Sequence, residues 1–179
     1  MQISSLNLGI ISLIRRNHGL EHATINLLSK KIPGTSFAGY SDHKGFWIVG
    51  NVSTDELLEI AQQALTRMKG GEHSLAIHAN CGTNYVTAGV LAGSLAWLAT
   101  LGGGNSFKKK FDRWPLLVML VTGALIVAQP LGPKVQEHVT TSGEPGNMVV
   151  KQIVRYERSG PVLHRILTGE VIHKVEDAA

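Results

Sequence analysis

Two long stretches of this chain carry no formal charge, and they limit its folds more than any other feature. From Ser74 to Phe107 there is no Lys, Arg, Asp or Glu, and a second such run extends from Trp114 to Pro133. Each reaches the roughly 20 residues that a helix needs to cross a hydrocarbon layer of about 30 Å. The apolar content of 44% is ordinary for the whole chain, so the concentration of apolar residues in two blocks is what points to a membrane protein. The intervening Lys108-Lys109-Lys110 reads as a loop facing a membrane surface. A net charge of +4 over 179 residues, with dispersed cations and few aromatic residues, gives no support to nucleic-acid binding.

The expected first span runs from about Tyr85 to Gly102, broken by Gly102-Gly103-Gly104-Asn105. Gly89 and Gly93, like Ala92 and Ala96, stand four residues apart. They offer small-residue surfaces on which other membrane helices, or a second copy of the chain, can pack. Trp114-Pro115 opens the second span, which is expected to end near Gln129-Pro130-Leu131-Gly132-Pro133.

The remainder divides around these spans. Ile3 to Ile14 lacks the charge order and cleavage site of a signal peptide and reads as a helical lead-in suited to a membrane interface. The helix continues to Lys30-Lys31 and stops at Pro33-Gly34. Ser36–Tyr40 and Phe46–Gly50 flank a turn at Ser41–Gly45 and predict a β-hairpin. Ser53 and Glu56 have capping-box spacing, and Leu57, Leu58, Ala61, Ala64, Leu65 and Met68 give the following helix an apolar stripe. Leu75-Ala76-Ile77 is expected to be a third strand. After a linker at Thr140–Gly146, Met148–Glu157 and Val162–Thr168 predict a second hairpin around Arg158-Ser159-Gly160-Pro161. The expected fold is an α+β head (helix-strand-strand-helix-strand, residues 1–84), a transmembrane helical hairpin (85–133), and a linker with a C-terminal β-hairpin (134–179).

The chemistry concentrates in His18-Gly19-Leu20-Glu21-His22. Residues four apart on a helix lie one turn above each other, so His18 and His22 share a face, with the Glu21 carboxylate at its edge. This is the H-x-x-E-H pattern of inverted zinc peptidases, in which the histidines hold Zn²⁺ and the Glu takes a proton from metal-bound water. Its alternative is a helix whose histidines simply pack or hydrogen-bond. A second group, His78-Ala79-Asn80-Cys81, offers an imidazole and a thiolate, both ligands that Zn²⁺ prefers. Cys81 is the chain's single cysteine; with no intramolecular disulfide possible, ligation gives its thiol a role. Gly82-Thr83-Asn84 would turn the chain into the first span, with Thr83 or Asn84 as the helix cap.

Asn-His-Gly-Leu-Glu-His-Ala-Thr followed by Asn-Cys-Gly-Thr-Asn resembles a family of short bacterial membrane proteins of unknown function, over most of the chain from about Arg15. The two motifs and the following span also resemble the YqhQ-like membrane proteins, regarded as metal-dependent enzymes. That second pattern usually has Pro-Arg where this chain has Ala79-Asn80. The resemblance implies that His18, Glu21, His22, His78 and Cys81 belong to one site; it supplies no substrate.

Ligand count governs what such a site does. Four protein ligands close a tetrahedral zinc and make it structural; three leave a position for water, with Glu21 as general base. The expected function is therefore a membrane-anchored zinc metallohydrolase of peptidase type. The alternative is a non-enzymatic membrane adaptor or assembly factor built around structural zinc. Haem ligation has no C-x-x-C-H motif behind it. His43, His73, His138, His164 and His173 are expected in solvated or strand-paired positions, with His164 on a hairpin able to fold over the head. The loop from Gly102 to Arg113 carries four cations, which by the positive-inside rule would make it cytoplasmic and put the head outside. Similar numbers of Lys and Arg flank the spans on the head side, and about 84 residues would have to cross without a recognisable signal, so the head is expected on the cytoplasmic face of the bacterial inner membrane.

Overall fold

The computed structural model of the protein describes residues 5–101, 108, 111–157 and 160–170, with side chains from residue 9 onward. Residues 3–4 of the lead-in, the break at Gly102–Asn105, Lys109-Lys110, the turn residues Arg158-Ser159, and His173 lie outside them. The chain forms two compact units, one of residues 1–78 with 140–179 and one of residues 79–139.

The first unit, the head, has two layers. Helix α1 (Ser5–Lys31) and helix α2 (Thr54–Lys69) cover one face of a four-stranded antiparallel sheet of order β1-β2-β4-β3, with β1 (Ala38–Asp42), β2 (Gly45–Val49), β3 (Met148–Tyr156) and β4 (Leu163–Glu170). Strand alternation selects the buried face. Phe46 and Ile48 on β2 and Ile166 on β4 are fully buried, together with Leu20 and Leu28 of α1 and Leu57 and Met68 of α2. On the opposite face Trp47 lies across from Arg165, whose guanidinium stands 5.0 Å from the indole centre. The predicted N-cap forms at α2: the Ser53 hydroxyl accepts from the Glu56 amide at 3.2 Å. The lead-in is not a separate segment, because α1 runs unbroken from Ser5 to Lys31. The C-terminal hairpin is part of the head's sheet, with β4 between β2 and β3.

One predicted element is replaced. Leu75-Ala76-Ile77 is not a strand; His73–Ala76 is a 3₁₀ turn. A strand would offer its carbonyls to a neighbouring strand, and here they are taken by side chains of α1. The Asn26 amide donates to Leu75 O at 3.0 Å and to Ile77 O at 2.9 Å, and His22 Nδ1 bonds Ala76 O at 2.8 Å.

His164 sits on the inner face of β4 and is fully buried. Its Nε2 lies 3.2 Å from the Thr54 hydroxyl, and its Nδ1 has no hydrogen-bond partner among the described residues. Burial, and then the nearby Arg155 charge, lower its pKa from the usual value. The unfolded chain therefore protonates here at a higher pH than the native one. Stability is expected to be fully present above about pH 6.5 and to fall as pH drops from there through the native pKa. Denaturant midpoints measured across that interval will show the decline, and His164→Leu will flatten it.

The second unit pairs helix α3 (Gly82–Thr100) with helix α4 (Trp114–Val135), packed along each other. Residues Trp114–Thr140 form one helical run of 27 residues, long and apolar enough to cross a membrane, and little of its most apolar stretch is buried. Pro115 occupies the first turn as expected, but Pro130 and Pro133 do not end the helix. The run widens into a π turn at Gln136–Thr140, a local change by which a helix absorbs backbone groups that proline leaves unbonded. Gln136 donates to the Asn84 side chain at 2.6 Å, tying the end of this run to the start of α3. Gly89 and Gly93 are exposed, and nothing lies within 4 Å of where a β-carbon would stand on either.

Candidate metal centre

Helix α1 organises the site through two ridges. Along one, Asn17 donates to Asp42 O at 2.8 Å and accepts from the Thr168 hydroxyl at 2.7 Å, locking α1 to β1 and β4. One turn on, Glu21 is 4% exposed, and its carboxylate accepts a short hydrogen bond from the Ser41 hydroxyl on β1. Ser41 was no part of the sequence motif; strand alternation puts it on the α1-facing side, opposite buried Phe46.

Along the second ridge, Arg15, His18, His22 and Asn26 all donate to main-chain carbonyls. Arg15 reaches Thr141 O at 2.9 Å, and His18 Nδ1 reaches Thr140 O at 2.9 Å. His22 and Asn26 hold the 73–77 turn as described above. A carbonyl can only accept, so Nδ1 of both histidines carries a proton, and in the neutral ring Nε2 keeps the lone pair. That is the arrangement in which a histidine is oriented to bind a metal. The rings are 4.3 Å apart between centroids in an edge-on relation, and ligand nitrogens of the two lie within 4.8 Å of each other. His22 is 2% exposed. The His78 ring lies 5.5 Å from that of His22, so three imidazoles of the head are neighbours.

Cys81 caps the N-terminus of α3, its sulfur accepting from the Thr83 amide at 3.4 Å. The helix therefore starts at Gly82, and the cap is Cys81 rather than Thr83 or Asn84. The Asn84 side chain instead bonds back to Ala79 O at 2.7 Å.

Gly19 explains how the 140–142 segment comes so close to α1. A β-carbon at Gly19 would strike the Ser142 carbonyl oxygen. Without one, the Ser142 amide reaches Arg15 O at 2.9 Å and Thr140 is carried to His18.

Fold and site together define a mixed α+β protein with imidazoles gathered along its first helix and, among the described residues, one helix long and apolar enough to span a bilayer. The chain belongs to the family described as a domain of unknown function, DUF6391, which matches residues 13–153. An uncharacterized protein of Picosynechococcus sp. (strain ATCC 27264 / PCC 7002 / PR-6) is 32% identical over 159 residues, covering 78% of this chain and 71% of that protein. No solved structure matches the chain.

Proposed function

We propose that this is a membrane-anchored, zinc-dependent hydrolase of peptidase type. His18, His22 and Cys81 hold the ion, His78 stands beside them as a further ligand or hydrogen-bond partner, and Glu21 is the general base. The observation that carries the reading is the pair of α1 imidazoles, each with Nδ1 bonded to a backbone carbonyl, which leaves Nε2 as the nitrogen available to a metal. Cys81 follows His78 by three residues, so chain connectivity alone keeps their Cα atoms within about 11 Å. Three protein ligands leave zinc a position for water, where it lowers the water's pKa to near 7 and polarises a carbonyl.

The apolar α4 supports an integral placement, with α3 as its partner span in the bacterial inner membrane and the head in the cytoplasm. The exposed Gly89 and Gly93 are suited to lipid or to a neighbouring span. A second reading, a structural zinc in an adaptor or assembly factor, is favoured by the Ser41 hydrogen bond that engages the Glu21 carboxylate.

Glu21→Gln separates the two, since it keeps shape and burial but removes basicity. Purified wild-type and variant proteins, matched for zinc by elemental analysis, are compared on a fluorogenic peptide library. Hydrolysis by the wild type and its loss by about 10²-fold or more in the variant is the expected result. Absence of hydrolysis in both, with zinc retained, would overturn the peptidase reading and favour the structural one.

A further inference from the structure

At one end of the head's sheet a groove of about 590 Å³ opens between the β1–β2 turn, the start of β3, the end of β4 and Leu13 of α1. That volume falls in the range of small-molecule sites. Leu13, Met148 and Leu167 supply apolar walls, while His43, Lys44 and Lys151 bring nitrogen-bearing side chains to the same groove.

The charge balance of the groove is one-sided. Among the described residues neither Lys44 nor Lys151 has an ion-pair partner, and the acidic groups nearby are committed elsewhere. Glu170, on the lining, is paired with Arg16 at 2.7 Å. Asp42 is held by Arg165 at 2.7 Å and accepts from the Lys44 main-chain amide at 2.7 Å. Burial pushes the Asp42 carboxyl upward, but the Arg165 hydrogen bond, the Lys44 amide and the neighbouring charges together bring it below its usual value, so it stays ionised for Arg165.

The backbone aims one lysine deliberately. The β3–β4 register slips between Val150 and Gln152, leaving Lys151 as the extra residue of a β-bulge, a device that redirects a side chain. Its aliphatic stem lies over Gly169, where a β-carbon would meet the end of the lysine chain.

We propose that this groove binds an anionic amphiphile, a single apolar chain with a carboxylate or phosphate head. Leu13, Met148 and Leu167 take the chain, and Lys44 and Lys151 take the head. Opposite charge and apolar surface are the two things the groove offers together, and no neutral or cationic ligand uses both. None of the groove's lining residues is among the proposed metal ligands.

The test uses the full chain in nanodiscs of zwitterionic phosphatidylcholine, with a diazirine fatty acid in one arm and a diazirine phosphatidylglycerol in the other, followed by peptide mapping of the photoproducts. Crosslinks are expected on peptides carrying Lys44 and Met148–Gln152, reduced by about tenfold in K44Q/K151Q, the scale of losing charge-assisted contacts. Both lysines are exposed, so the double variant keeps the fold. Gly169→Ala, which retains both charges but displaces Lys151, is expected to weaken labelling to an intermediate level. Labelling by the fatty acid alone identifies a free carboxylate as the head, and labelling by the phospholipid alone identifies a bilayer lipid. Crosslinks confined to α3 and α4, or labelling of the head unaffected by K44Q/K151Q, would overturn the proposal.

Discussion

Replacing His22 with alanine is expected to strip the protein of metal, from about one ion per chain to under about a tenth of that by elemental analysis, since coordination needs every preformed ligand. The imidazole is buried and fixed by Ala76 O. The same change leaves Ala76 O without its donor, which costs about 1–3 kcal/mol and loosens the 73–77 turn. Asn26→Ala separates the two effects. It removes donors to Leu75 O and Ile77 O from the same turn but touches no proposed ligand, so it should destabilise comparably and keep its zinc. Metal retained by His22→Ala, or absent from the wild type, would refute the zinc assignment.

Gly19→Ala should be among the most damaging single-methyl changes in the head. Glycine inside a helix ordinarily costs about 0.5–1 kcal/mol relative to alanine, so on an exposed helix the substitution would stabilise. Here the added carbon meets the Ser142 carbonyl oxygen, with the Ala76 β-carbon also at 3.3 Å. Backbone lies on both sides of the clash, so no side-chain rotation relieves it. Destabilisation at or above the upper end of the usual overpacking range, about 3 kcal/mol, is expected from denaturant melts. The displaced 140–142 segment would also lose its bonds from Arg15 and His18, so zinc content should fall with stability. Unchanged stability would mean that the approach of this segment to α1 is not required.

How much of this was legible in the sequence depended on the range of the interaction. The α2 cap was readable because Ser53 and Glu56 are three residues apart, and the first hairpin because its strands flank a compact turn. The shared face of His18 and His22 follows from helical spacing alone. The 3₁₀ turn at His73–Ala76 was not readable, because its cause is Asn26 and His22, some fifty residues away. Ser41 beside Glu21 and Thr140 beside His18 are likewise long-range pairings with no local signature. The two C-terminal strands were predicted, but not the insertion of β4 against β2, which depends on Ile166 meeting Phe46 across the buried face. The prolines misled for a different reason: Pro130 and Pro133 would end most helices in water, whereas this apolar helix continues past both and widens.

The ridge of Arg15, His18, His22 and Asn26 has a topological consequence. It grips the backbone at residues 75–77, just before the chain departs for α3, and again at 140–141, just after it comes back. Departure and return are thus stapled to neighbouring turns of a single helix, like the two posts of one gate. Residues 79–139 are in effect a cassette set into a head whose own wiring closes without them, so lineages could lengthen, shorten or exchange that cassette while the host fold stayed intact.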